Sequence, residues 1–176
     1  SKLIFPFFRL RPASHAPRSV IASQPSPRYA LFFIPGAVAV VGASRNPDSV
    51  GSRILQALIA AGFRGAIYPI NPHASSIASL TAYPSVAVLP EAPDLAVITV
   101  PRDAVLSVID DCAARGVKAV VVVTAGFAET GVEGSELQRK LVEKVRGYGM
   151  RIVGPNCLGL INTDPAVNLN ASFSAF

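Results

Sequence analysis

The sequence predicts an α/β fold: a Rossmann-like, doubly wound parallel sheet forming a single domain, preceded by an irregular N-terminal tail. Two observations carry this expectation. From Leu31 onward, short apolar runs alternate with stretches whose apolar residues recur at helical spacing, the rhythm of repeated βα units. Several of those runs are continuous rather than alternating, as strands covered by helices on both faces require.

The elements follow in order. Residues 1–30 combine five basic residues, five prolines and five serines with no acid, and they show neither a period of 2 nor one of 3.6. They read as a tail or linker; the Arg/Ser-rich, acid-free composition also resembles a mitochondrial transit peptide. The domain is expected over 31–176. Ala37 to Val41 is the first strand, and Ile54, Leu55, Leu58 and Ile59 mark a helix that Gly62 closes. Strands over Ala66–Ile70 and Leu95–Val100 end at Asn71-Pro72 and Pro101. Val105, Val108, Ile109 and Cys112 share one helical face, which makes Cys112 a packing residue. Lys118–Val123 is a fourth strand. Ser135 and Gln138 form a capping-box pattern ahead of Leu137, Leu141, Val145 and Tyr148, and Arg151–Val153 and Gly159–Asn162 supply two more short strands.

Composition narrows the function. The 176 residues are 51% apolar, enough for one full core. The net charge of +5 resides in the first thirty residues, which hold five of the sixteen basic residues; residues 31–176 carry eleven of each sign. A neutral domain argues against a nucleic-acid surface. The most apolar stretch, Val117–Phe127, contains Lys118 and falls short of the ~20 residues a membrane span needs, so no membrane role is expected. Two cysteines, Cys112 and Cys157, without zinc-type spacing predict no metal site and no disulfide framework. A cytoplasmic location follows, or a mitochondrial one if the tail is a transit peptide.

Ligands of doubly wound sheets lie outside the carboxyl ends of the strands. The first exit, Gly42-Ala43-Ser44-Arg45-Asn46-Pro47-Asp48-Ser49-Val50-Gly51, turns small residues from a buried strand into a helix N-terminus, a cradle for phosphate. It is too long for G-x-G-x-x-G and lacks the Lys-Ser/Thr of a P-loop. A glycine turn needed only for packing is the alternative. The second exit, Asn71-Pro72-His73, has no carboxylate where a nicotinamide dinucleotide site needs one for the ribose. His73 suits a phosphorylated ribose, or is simply solvated. Arg102 is either a second cation or a surface charge.

Five ordered motifs carry a resemblance: Val38-Ala39-Val40-Val41-Gly42-Ala43-Ser44, Tyr68-Pro69-Ile70-Asn71-Pro72, Asp94-Leu95-Ala96-Val97-Ile98-Thr99-Val100-Pro101, Thr124-Ala125-Gly126-Phe127-Ala128-Glu129 and Gly154-Pro155-Asn156-Cys157-Leu158-Gly159. Together they resemble the CoA-binding domain of NDP-forming acyl-CoA synthetases, which include ADP-forming acetyl-CoA synthetase, its acetyltransferase fusions and the α subunit of succinyl-CoA synthetase.

The resemblance implies coenzyme A as substrate, bound along the strand exits. It assigns phosphates to Gly42, Ala43, Ser44 and the loop through Arg45, Asn46, Pro47, Ser49, Val50 and Gly51, and ribose or adenine to Asn71, Pro72 and His73. Val100, Pro101, Thr124, Ala125, Gly126 and Phe127 would line the pantetheine channel, with Asn156 and Cys157 at the thiol end. Cys157 is as readily structural. No catalytic residue is expected here: the family's phosphohistidine lies on the following ligase domain, and ATP or ADP enters only through an ATP-grasp domain or subunit. The chain's two histidines, His15 and His73, fall outside that motif. The expected function is the CoA site of an ADP-forming acyl-CoA ligase that does not turn over alone. A stand-alone, non-catalytic CoA or nucleotide sensor is the rival, and a nicotinamide-dependent oxidoreductase ranks third.

Overall fold

A computed structural model describes residues 27–174. Five parallel strands form its central sheet: β1 (Ala37–Val41), β2 (Ala66–Ile70), β5 (Leu95–Ile98), β6 (Ala119–Val122) and β7 (Arg151–Val153), in the order β2-β1-β5-β6-β7. The chain winds from β1 outward to β2, then crosses back so that β5 pairs with the other side of β1. That reversal puts the topological switch point between β1 and β5, and the crevice above it is where this architecture binds ligands.

Side-chain alternation splits the core in two. Val38 and Val40 of β1 point to one face, with Leu95 and Val97 of β5, and pack on Ile54, Leu55 and Leu58 of helix α2 (Val50–Ala60). Ala39, Val41, Ala96 and Ile98 point to the other, against Ile109 and Cys112 of α3 (Val105–Arg115) and Leu141 and Val145 of α4 (Val132–Gly147). Burial on both faces is the reason β1, β5 and β6 are apolar at every position. Cys112 is fully buried, and desolvation pushes its thiol up to about 12, in keeping with a packing role.

Helix ends follow local chemistry, with one departure from expectation. Ser49 caps α2, its Oγ accepting from the Ser52 N–H at 3.1 Å. Gly62, at φ +68°, ends it, and the Phe63 N–H reaches back to the Leu58 carbonyl at 3.1 Å. The capping box expected at Ser135 and Gln138 is not a helix start: α4 begins at Val132, and the Ser135 N–H already donates to the Gly131 carbonyl at 2.9 Å. The start moves upstream because Gly134 lets the first turn sit directly on the backbone of Phe127; a Cβ there would fall 1.8 Å from the Phe127 oxygen. Gln138 instead accepts from the Ala128 N–H at 3.3 Å.

A short helix and two strand pairs lie beside the central sheet. Helix α1 (Pro27–Phe33) begins inside the segment read as tail, and residues 1–26 of that segment lie outside the described residues. A two-residue hairpin, β3 (Ser76–Ile77) with β4 (Leu80–Thr81), follows β2. The strand expected over Gly159–Asn162 forms as β8, yet it pairs antiparallel with β9 (Leu169–Ser172) rather than joining the main sheet. Leu169 and Ala171 of β9 are buried in the α2 side of the core. Among the described residues, no helix is long and apolar enough to cross a membrane.

Candidate functional site

At the switch point the ends of β1 and β5 are locked together. The Thr99 N–H and hydroxyl both donate to the Val41 carbonyl, at 2.8 and 2.9 Å. Gly42 follows with φ +95°, in the left-handed region, and a Cβ there would lie 2.6 Å from the Thr99 hydroxyl. Gly51, in the first turn of α2, approaches so closely that its Cβ would fall 2.1 Å from the Gly42 oxygen. The two glycines thus serve packing as well as any ligand, bringing the α2 N-terminus against the exit of β1.

The loop between them folds on itself. Ser44 Oγ accepts from the Asn46 N–H at 3.0 Å, Asn46 Oδ1 from the Asp48 N–H at 3.0 Å, and Ser49 Oγ donates to the Asn46 carbonyl at 2.9 Å. Ala43 is fully buried, and Pro47 lies on the exposed arc. Arg45 leans outward, its Nε donating to the Ser76 carbonyl at 3.0 Å. The N–H groups of Ser44, Arg45, Val50 and Gly51 find no acceptor among the described residues. With the positive end of the α2 dipole behind them, they fit an anion and no cation.

Asn71, at the exit of β2, closes the floor. Its Nδ2 donates to the Ala43 carbonyl at 2.8 Å and its Oδ1 accepts from the His73 N–H at 2.7 Å. Both ends of the amide are spent on backbone, so Asn71 holds the loop in place; the His73 side chain is exposed.

Two depressions open above these exits. The smaller, about 220 Å³, is lined by Gly42, Asn71 and Pro72, and by Pro84, Val108 and Asp111 from elements farther along the chain. The larger, about 550 Å³, lies over β5, β6 and the turn after β7, between Val50, Pro101, Thr124, Ala125, Asn156 and Cys157. Val100 lines both. The two depressions therefore adjoin at Val100, on either side of the switch point.

The walls of the larger depression are fixed by backbone bonds. Thr124 donates its hydroxyl to the Val100 carbonyl at 2.7 Å, and the Asn156 N–H donates to the Thr124 carbonyl at 3.0 Å. Cys157 is half-buried, its Sγ 3.4 Å from the Val122 carbonyl; burial raises its thiol above the ordinary 9.0. Held protonated at neutral pH by that burial, the thiol lines the depression.

Gly126 and Phe127 stand differently. Phe127 is fully buried beneath the start of α4, and the Arg102 side chain covers Gly126, its Nη1 3.3 Å from the Gly126 carbonyl. Neither lines the larger depression, contrary to the expectation that they would, because Phe127 is taken up in the core and Arg102 lies over Gly126. Arg102 itself lines the larger depression and approaches Glu133 at 3.7 Å. Sequence reasoning missed Thr99, Phe173 and Asp111. Thr99 was legible as the residue ahead of Val100-Pro101; Phe173 follows β9 and Asp111 lies on α3, whose packing no local pattern announces.

The chain resembles known proteins across most of its length. The CoA binding domain family matches residues 36–163. The ADP-forming acetate–CoA ligase I of Archaeoglobus fulgidus is 45% identical over 143 residues, 81% of this chain and 20% of that one. The alpha subunit of ADP-forming acetate–CoA ligase II from Pyrococcus furiosus is 44% identical over 143 residues, 81% of this chain and 30% of its own length. Among solved structures, the dinucleotide forming acetyl-coenzyme A synthetase 1 of Ca. Korarchaeum cryptofilum, in complex with phosphate and ADP, superposes with a TM-score of 0.78 at 49% identity, covering 84% of this chain and 31% of that one. The chain thus spans between a fifth and a third of these relatives.

Proposed function

The chain belongs to the CoA binding domain family and is homologous to the corresponding domain of ADP-forming acetate–CoA ligases; from that premise we propose that the two depressions form a track across its switch point that holds coenzyme A for such a ligase. The phosphates would lie on the free N–H groups of Ser44, Arg45, Val50 and Gly51, with the side chain of Arg45 beside them. The 3′-phosphoadenosine end would lie over Asn71, Pro72 and His73. The pantetheine arm would run past Val100, Pro101, Thr124 and Ala125 and bring the thiol to Asn156 and Cys157, where it meets an acyl phosphate made by other domains.

The observation that supports this reading is that the two depressions adjoin at Val100, beside the N-terminus of α2. Val50, whose amide is free at the N-terminus of α2, lines the larger depression, and the rest of that depression is mostly apolar, walled by backbone-bonded threonine and asparagine. A long ligand with a phosphorylated head and an apolar, amide-bearing arm matches that division.

The remaining parts of the reaction belong to partners: a ligase domain downstream and an ATP-grasp domain or subunit that binds ATP or ADP. The assembly would work in the cytoplasm, or in the mitochondrion if the N-terminal segment is a transit peptide. Titration calorimetry with CoA, dephospho-CoA and NAD tests the assignment. CoA is expected to bind most tightly, and tighter binding of NAD would overturn it.

A further inference from the structure

The smaller depression carries a charge that the ligand's phosphates do not want. Its lining is apolar except for Asn71, Ser85 and Asp111, and the Asn71 amide is already spent on the Ala43 carbonyl and the His73 N–H. Asp111 has no ion-pair or hydrogen-bond partner among the described residues. Its neighbour differs: Asp110 takes Lys144 Nζ at 2.5 and 2.6 Å and Tyr148 Oη at 2.7 Å, which sets the rotation of α3 against α4. One residue is about 100° of helical turn, so fixing Asp110 on α4 directs Asp111 elsewhere. Val108, three residues earlier on the same helical face, lines the same depression.

A carboxylate on an apolar wall repels phosphate and needs a donor, because leaving it unpaired beneath a bound ligand carries the full cost of its desolvation. Pro72, Pro84 and Val86 line the same depression and give a ring apolar surface to lie against. Resting on the reading of the track as a CoA site, we infer that Asp111 is the specificity residue for the base, accepting a hydrogen bond from the exocyclic amino group of adenine. The carboxylate at one end and the free amides of the α2 N-terminus at the other then orient the nucleotide: base into the depression, phosphates outside it.

The test compares CoA with its 6-oxo counterpart, in which hypoxanthine replaces adenine and an acceptor stands where the amino group was. Wild-type chain is expected to bind CoA at least about tenfold more tightly than the 6-oxo form, as a site built on a specific hydrogen bond rejects the analogue lacking it. Asp111→Asn is expected to bring the two affinities within about twofold, since a carboxamide can turn its NH2 toward the 6-oxo group. A merely structural Asp111 would not move that ratio. Equal affinities in the wild type, which needs no variant, would overturn the inference, and so would a ratio unchanged in a folded Asp111→Asn. Failure of the wild type to bind CoA at all would overturn the reading of the track itself, and this role with it.

Discussion

The side-chain amide of Asn71 donates to the main-chain carbonyl of Ala43 at 2.8 Å, joining the exit of β2 to the exit of β1. Twenty-eight residues separate the two in sequence. The bond makes the cradle loop and the floor of the smaller depression one rigid piece, because the other end of the same amide holds the His73 N–H at 2.7 Å. An acid at this position would set oxygen against oxygen.

Asn71→Asp is therefore expected to cost about 1–3 kcal/mol of stability, the range for a buried carbonyl left unsatisfied, and to weaken CoA binding as the loop loosens. Chemical denaturation and calorimetry on the same variant check both effects. Stability equal to the wild type would mean that the bond contributes nothing.

Gly51→Ala is expected to destabilise by about 1–3 kcal/mol through overpacking, since the new Cβ would fall 2.1 Å from the Gly42 oxygen and 2.8 Å from the Thr99 hydroxyl. Backbone lies on the crowded side, so no side chain can rotate away. Gly147→Ala, where a Cβ would meet nothing within 4 Å, is the control and should leave the melting temperature close to that of the wild type.

Arg45 spends its Nε on the Ser76 carbonyl at 3.0 Å, and its two terminal nitrogens have no partner among the described residues. Arg45→Ala should weaken CoA binding by about 1–3 kcal/mol, as loss of a charge-assisted hydrogen bond to phosphate does. The deficit should shrink as salt is raised, because the arginine is exposed. An affinity independent of this substitution would return Arg45 to the role of a solvated strap onto β3.

Stability should hold steady above pH 5 and fall as the pH drops below about 4.5, in a window set by three carboxylates. Asp110 is held below its ordinary 3.8 by the Lys144 and Tyr148 hydrogen bonds, Glu136 below 4.5 by Arg139, and Glu129 below 4.5 chiefly by the Gly126 N–H. A carboxyl group whose folded-state pKa is depressed stabilises the fold fully above its unfolded value, and that contribution disappears as the pH falls through the folded value. Asp110→Asn should flatten the acid side of a melting-temperature profile. An equally steep decline in that variant would show that the α3–α4 ion pair is not linked to folding.

Periodicity alone determined a good deal of this protein. The unbroken runs Ala37–Val41 and Ala119–Val122 announce strands buried on both faces, and Ile54, Leu55 and Leu58 announce the helix between β1 and β2. These signals are local: they record which side of an element must leave water, and they place the glycine turn and Asn71-Pro72 at strand exits. Which element covers that side is a separate matter, settled by contacts between residues far apart in sequence. So the insertion of β5 beside β1, the pairing of β8 with β9 outside the main sheet, and the arrival of Leu169 and Ala171 in the α2 core were decided only by the tertiary structure. The start of α4 shows the same division, for a local capping pattern at Ser135 yields to the fit of Gly134 on the Phe127 backbone. Asp111 was not legible in this way: no acid stands at the exit of β2, which reads Asn71-Pro72-His73, yet α3, rotated by the Asp110–Lys144 pair, brings one beside Asn71 and Pro72. A helix's rotation about its own axis is fixed by what it packs against, and that is written in the partners rather than in the helix.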